Sequence, residues 1–186
     1  MKLSDLKGAI AVSKYEAHKQ ADFLTAGIMK DKKLSRGENI HQVYNRCLKG
    51  AICELGIADK IGGTLNNQVF NHKDRGTYAY DIVSSGGYKI EVKRQRTNWL
   101  TLRSDVKNRL TKNIAEGHID YIITCDYEDN PSSYYTVTPK LLIMSDSFAK
   151  FTTRSKFNDN YVFQHYNAAK VAGCFDLSTP AVEAVA

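Results

Sequence analysis

The sequence predicts an α/β fold in which helices cover both faces of a mixed central sheet. Three observations carry that prediction. Apolar residues recur at helical spacing over 40–55. A charged β-hairpin follows over 78–94. A basic helical segment, 104–116, then leads into the apolar run "IDYIITCDY". Helix, hairpin, helix, strand and strand in that order give helices layered on a sheet.

Length and composition set the frame. A chain of 186 residues forms one domain and buries roughly two-thirds of its unfolded surface. With 42% apolar and 25% charged residues it matches an ordinary globular protein. No apolar run approaches the ~20 residues needed to span a bilayer. The start, "MKLSDLKGAIAVSKYEAHK", lacks the uninterrupted apolar core of a secretory signal. Both features point to a cytoplasmic location with no membrane partner. Cys47, Cys53, Cys125 and Cys174 show no CxxC spacing and no histidine placed to complete a zinc cluster, so they read as reduced, partly buried thiols.

The first 34 residues are polar and lysine-rich and read as one or two helices. Ser35 and Glu38 have the S-x-x-E spacing of a capping box. Behind them Ile40, Val43, Tyr44, Cys47, Leu48, Ala51, Ile52 and Leu55 form one apolar stripe. The helix they define runs on through Ile61 and stops at Gly62-Gly63. Residues 64–77 read as an irregular strand and loop. Tyr78–Val83 and Tyr88–Arg94 flank the turn Ser84-Ser85-Gly86-Gly87. "EDNPSS" reads as a turn and "YYTVTP" as another strand. Residues 139–175 mix short helices and strands, and the tail "STPAVEAVA" reads as frayed.

The hairpin carries the chemistry. Ile90 and Val92 point to one face of its second strand, Glu91 and Lys93 to the other. Asp81 joins the charged face only if it stands opposite Glu91 or two residues from that position. That requires an odd loop, such as Ser85-Gly86-Gly87 with one glycine at positive φ, or a bulge. Two carboxylates converging on one point suit a hard cation such as Mg²⁺ or Mn²⁺, and Lys93 then stands where it orients water or offsets phosphoryl charge. The plainer alternative is a surface hairpin with a Glu–Lys pair worth well under ~1 kcal/mol.

Asp81, nine residues, then Glu91-Val92-Lys93 resembles the D…ExK signature of the PD-(D/E)XK, restriction-endonuclease-like nuclease superfamily. That group includes restriction enzymes, junction resolvases and many phage nucleases. It also places an acid on the helix before the hairpin, and Gly50-Ala51-Ile52-Cys53-Glu54 resembles its G-x-x-x-E element. On a helical wheel Glu54 falls between Val43 and Cys47 at the edge of the buried stripe, while Glu38, the reserve candidate, falls on the solvent side. The resemblance covers a core of about 36–127, leaving an N-terminal helical extension, 1–34, and a C-terminal extension, 128–186. Tyr80 stands where the signature often has proline.

The resemblance implies a restriction-endonuclease-like core and a Mg²⁺-dependent endonuclease acting on DNA. Asp81, Glu91, the Val92 carbonyl and Glu54 would hold metal and water, with Mn²⁺ as a substitute ion, and Lys93 would assist the nucleophile. In a phage protein the setting would be the host cytoplasm. Cutting both strands of a duplex calls for a homodimer or two sequential events.

Charge distribution agrees with a polyanionic partner. The chain's net charge is +6, and 89–112 alone holds eight Lys/Arg against two acids. Arg94, Gln95, Arg96, Arg103, Lys107, Arg109 and Lys112 are candidate nucleic-acid contacts, with Trp99 placed to stack on a base. Asp74 is the fallback for Asp81. The rival reading is a non-catalytic nucleic-acid-binding protein that uses only the basic face.

Overall fold

The computed structural model describes residues 3–30, 38–66, 79–97, 99–151, 153–154, 161–164 and 173–178. After the short α1 (Leu3–Leu6), β1 (Ile10–Ser13) leads into α2 (Lys14–Lys30) and then α3 (Ile40–Ile61). Next come β2 (Thr64–Leu65), β3 (Ile82–Val83), β4 (Lys89–Arg94), β5 (Trp99–Leu102) and α4 (Ser104–Ala115). The order closes with β6 (Tyr121–Asp129), β7 (Tyr134–Met144), α5 (Ser145–Phe151), β8 (Thr153–Arg154), β9 (Tyr161–Gln164) and β10 (Cys174–Asp176).

The main sheet has seven strands in the order β1-β7-β6-β4-β3-β2, with β10 also on β7. Among the described residues only β4 and β6 run parallel in this sheet; the other pairs are antiparallel. A parallel pair needs a crossover, and β5 and α4 supply it. This is the mixed sheet flanked by helices that the sequence predicts.

Each face of the sheet has its own core. Ile52, Ile57 and Ile61 of α3 pack with Ile90, Val92, Ile123 and Val137. Leu110 of α4 packs on the other face with Leu100, Ile122, Leu141, Ile143 and Phe148. Gly56 lets α3 close on the sheet, since a Cβ there would stand 3.0 Å from the Val137 side chain and 3.1 Å from Val12 Cγ2.

The helix stop at Gly62 is as the sequence predicts: this residue takes φ +59° and its N–H bonds back to the last turn. The start differs. Asn39 is the N-cap, and its box partner is Gln42: Gln42 N–H donates to Asn39 Oδ1 at 3.0 Å and Asn39 N–H to Gln42 Oε1 at 2.9 Å. Glu38 is instead ion-paired with Arg46 at 3.0 Å. An Asn/Gln pair satisfies the same two orphan N–H groups as Ser/Glu, and it lies next to the apolar stripe.

Other elements depart from the reading of the sequence. The N-terminal segment holds a strand, β1, paired with β7 from Ile10↔Val137 to Ser13↔Tyr134. The turn expected at "EDNPSS" starts two residues later, because β6 runs to Asp129 against β7 with a register shift at Thr124/Cys125. The segment around Trp99 is a strand, paired with β9 in a second, three-stranded sheet. The tail from 179 and residues 67–78, which include the fallback Asp74, lie outside the described residues. All four cysteines are free and buried. No helix among the described residues is long and apolar enough to cross a membrane.

Candidate active site

The hairpin geometry follows from its turn. Ser84 N–H donates to Tyr88 O at 2.9 Å, closing the three-residue loop Ser85-Gly86-Gly87, and Gly87 N–H donates to Ser84 O at 2.9 Å. Gly87 takes φ +80°, the conformation such loops require after their turn. The loop is odd, and Ile82 pairs with Ile90, so Asp81 stands level with Glu91 on its face.

β3 pairs with β4 only through Ile82 and Val83. Beyond them the outward N–H and C=O of Val92 are met by side chains. The Val92 N–H donates to Asp81 Oδ2 at 2.7 Å, and Lys93 Nζ donates to Val92 O at 2.9 Å. The same ammonium contacts Glu91 Oε1 and stands 4.0 Å from Asp81 Oδ2. Arg109, from α4, brings a second cation within 3.8 Å of Glu91 Oε1.

Glu54 approaches from α3, half-buried, and lines two cavities together with Lys93. A Cβ at Gly50, one turn earlier, would stand 3.2 Å from Glu54 Oε1. The glycine thus gives the carboxylate room to lie over the helix.

Electrostatics sharpen the site. Burial pushes Glu54 well above the usual carboxylate range, and the Asp81 charge pushes the same way against Lys93. Glu91 is 4% exposed; burial, then the Asp81 charge, raises its pKa to about 7. Burial alone would lower Lys93, but the Glu91 and Asp81 charges outweigh it and leave its pKa raised. Lys93 is therefore an ammonium throughout the physiological range, a donor and not a base.

Glu54 and Lys93 sit where two cavities meet, with Asp81 and Glu91 behind them and lining neither. One, of about 620 Å³, lies along Gln42, Asn45, Arg46 and Lys49 of α3 and reaches Arg94. The other, of about 610 Å³, opens toward Arg103, Asp105 and Arg109 at the start of α4. Arg46, Gly50, Glu54 and Lys93 line both.

The predicted basic contacts divide. Arg94, Arg103 and Arg109 line the cavities; Arg96, Lys107 and Lys112 do not. Arg94 is anchored by Asp126 at 2.9 Å and lies 4.1 Å over the Tyr127 ring. Arg103 is held by Asp105 at 2.7 Å. Gln95 departs from the expectation of a substrate contact: it is 1% exposed and donates to Thr97 O at 3.0 Å. The strand ends at Arg94, so alternation no longer directs the next side chain into the cleft. Charge counting misses Arg46 and Lys49. Arg46, Gly50 and Glu54 recur every four residues along one ridge of α3, and that spacing is the available signal.

The site therefore combines two carboxylates and a strand carbonyl around one ammonium, a third carboxylate nearby, and a cleft with cationic walls. A search of curated proteins finds no match. The family model described as bacteriophage T4 endonuclease IV matches residues 1–165, which include every residue of this cluster, and the chain belongs to that family.

Proposed function

We propose that the protein is a divalent-metal-dependent endonuclease that hydrolyses phosphodiester bonds in DNA, with a PD-(D/E)XK-type centre on a restriction-endonuclease-like core. Membership of an endonuclease family supports the reaction class. One observation supports the type of centre: the Lys93 ammonium rests on Glu91 and the Val92 carbonyl, with Asp81 4.0 Å away. A cation already occupies the point where three hard oxygen donors converge.

That donor set fits Mg²⁺, which binds through one or two carboxylates and keeps several waters. Among the described residues no three His, Cys, Asp or Glu side chains stand close enough to hold an ion by themselves. Asp81, Glu91 and the Val92 carbonyl would hold the metal, and Glu54 would act through water. When bound, Mg²⁺ or its substitute Mn²⁺ supplies a Lewis acid that polarises a phosphoryl oxygen and acidifies water.

The chain's own groups do the rest. Water oxygen bonds to phosphorus as the bond to the leaving sugar oxygen breaks, and the proton lost by the water passes to Glu54, the carboxylate that lines the cleft beside Lys93. Lys93 donates to the attacking oxygen or a phosphoryl oxygen and offsets the growing negative charge. Solvent protonates the leaving oxygen. With one such centre per chain, cutting both strands takes a homodimer or two events. One sheet takes strands from both extensions, β1 and β7, which supports a single domain.

Supercoiled plasmid incubated with Mg²⁺, Mn²⁺ or EDTA, with Lys93→Ala beside the wild type, tests the reading. Metal-dependent nicking lost in the variant is the expected result. Salt-sensitive binding without cleavage would favour the non-catalytic alternative, and cleavage that survives Lys93→Ala would place the centre elsewhere.

A further inference from the structure

We infer that α3 forms a second phosphate-binding wall, with Arg46 and Lys49 gripping the polynucleotide backbone beside the bond that is cut. The inference rests on the nuclease reading of the Asp81–Glu91–Lys93 cluster and adds a surface that the basic segment 89–112 does not contain.

Gln42, Asn45, Arg46 and Lys49 recur at i, i+3, i+4 and i+7, so they share one face of the helix. All four are exposed and line the same cavity as Glu54, Val92 and Lys93. The opposite side of that cavity holds Arg94. Arg94 is ion-paired with Asp126, which Lys140 also approaches at 3.9 Å, whereas Lys49 has no ion-pair partner among the described residues. Arg46 lines both cavities and bonds Glu38 at 3.0 Å, an exposed pair that a phosphate can replace at little cost. Gln42 Oε1 is committed to the helix cap, which leaves the two cations as the charged grips of this face.

The dimensions suit the ligand. Arg46 and Lys49 stand three residues apart, about 4.5 Å of helix rise, so their long side chains reach neighbouring phosphates of one strand. The cavity on the far side of Glu54 and Lys93 carries Arg103 and Arg109. A strand lying through both cavities thus has cations on each side of the reacting phosphate, with α3 holding one side and the start of α4 the other.

Lys49→Gln and Arg46→Gln test the wall, with Lys19→Gln on α2, which lines neither cavity, as the charge control. The probe is a labelled mixed-sequence DNA of about 30 nucleotides, single-stranded or duplex, bound in EDTA across a salt series. Losing one phosphate contact lowers the slope of log affinity against log salt by about 0.9 on the duplex and about 0.7 on the single strand, and weakens binding roughly four- to fivefold at moderate salt. Losing a contact made equally in ground and transition states raises KM and leaves kcat unchanged, so that split is expected for Lys49→Gln and not for Lys19→Gln. A wild type that cleaves DNA, with Lys49→Gln and Arg46→Gln variants of unchanged affinity and slope, would overturn the wall alone. A wild type that neither binds nor cleaves DNA would overturn the nuclease reading and the wall together.

Discussion

Asp81 Oδ2 accepts the backbone N–H of Val92 at 2.7 Å, so one carboxylate both caps a sheet edge and carries charge into the candidate site. The two roles separate by substitution. Asp81→Asn keeps an oxygen for the Val92 N–H but removes a charge that pushes the pKa values of Glu54 and Glu91 upward. Its thermal stability without metal should match or exceed the wild type, while plasmid cleavage falls at least about 100-fold. Asp81→Ala loses the tether as well and should cost about 1–2 kcal/mol. Wild-type cleavage by the asparagine variant would reduce Asp81 to a structural cap.

Glu91 makes metal-free stability depend on pH. Its folded pKa of about 7 lies above the ordinary 4.5. Between those values the folded protein keeps a proton that the unfolded chain has released. Its contribution is therefore fully present below the unfolded value and is lost as pH rises through about 7. Urea unfolding in EDTA at pH about 5.5 and about 8 should show a larger loss for the wild type than for Glu91→Gln, by on the order of 2 kcal/mol. Parallel losses in the two proteins would show that Glu91 titrates normally.

Lys93 predicts how the protein answers to metal. Among the described residues the ammonium and Arg109, at 3.8 Å, are the two cations beside buried Glu91. Lys93→Ala removes the closer one, and breaking a buried pair costs about 3–5 kcal/mol. Mg²⁺ should restore much of that loss, because a ligand at about 100 times its Kd adds roughly 2.7 kcal/mol to the folded state. Thermal unfolding in Mg²⁺ and in EDTA should thus show a larger metal shift for Lys93→Ala than for the wild type, where the ammonium competes. Equal shifts, or none, would mean that the ion does not bind these oxygens.

What the sequence disclosed and what it withheld follow from how far each signal reaches. Parity of the Ser85-Gly86-Gly87 loop is local, so it locates Asp81 opposite Glu91. The periodicity of α3 is local too, and it carries Glu54 to the edge of the buried stripe. β1 is four residues in a lysine-rich segment, and its partner β7 lies more than a hundred residues away in sequence. No local pattern announces such a pairing. Gln95 shows the limit of alternation, since the rule lapses once β4 ends at Arg94. Arg46 and Lys49 show the limit of charge density. Their importance comes from the cavity beneath α3, which exists only after the helix packs on the sheet.

Two glycines of α3 separate stability from activity. Each weakens the helix by about 1 kcal/mol relative to alanine, so Gly→Ala is expected to stabilise where space allows. At Gly50 the new methyl would meet Glu54 Oε1 at 3.2 Å, the movable end of a side chain. Gly50→Ala should therefore raise the melting temperature while displacing the carboxylate, and cleavage should fall about 3- to 10-fold. At Gly56 the methyl would meet Val137 Cβ and Cγ2 at 3.0 Å and Val12 Cγ2 at 3.1 Å. Those groups belong to packed strands and cannot swing aside, so Gly56→Ala should destabilise by about 1–3 kcal/mol and leave cleavage per folded molecule unchanged. Thermal unfolding and plasmid cleavage on both variants read the two effects with opposite sign. A Gly50→Ala protein that is more stable and cleaves normally would remove Glu54 from the site, because among side chains of the described residues beyond its chain neighbours the added methyl meets Glu54's carboxylate alone within 4 Å.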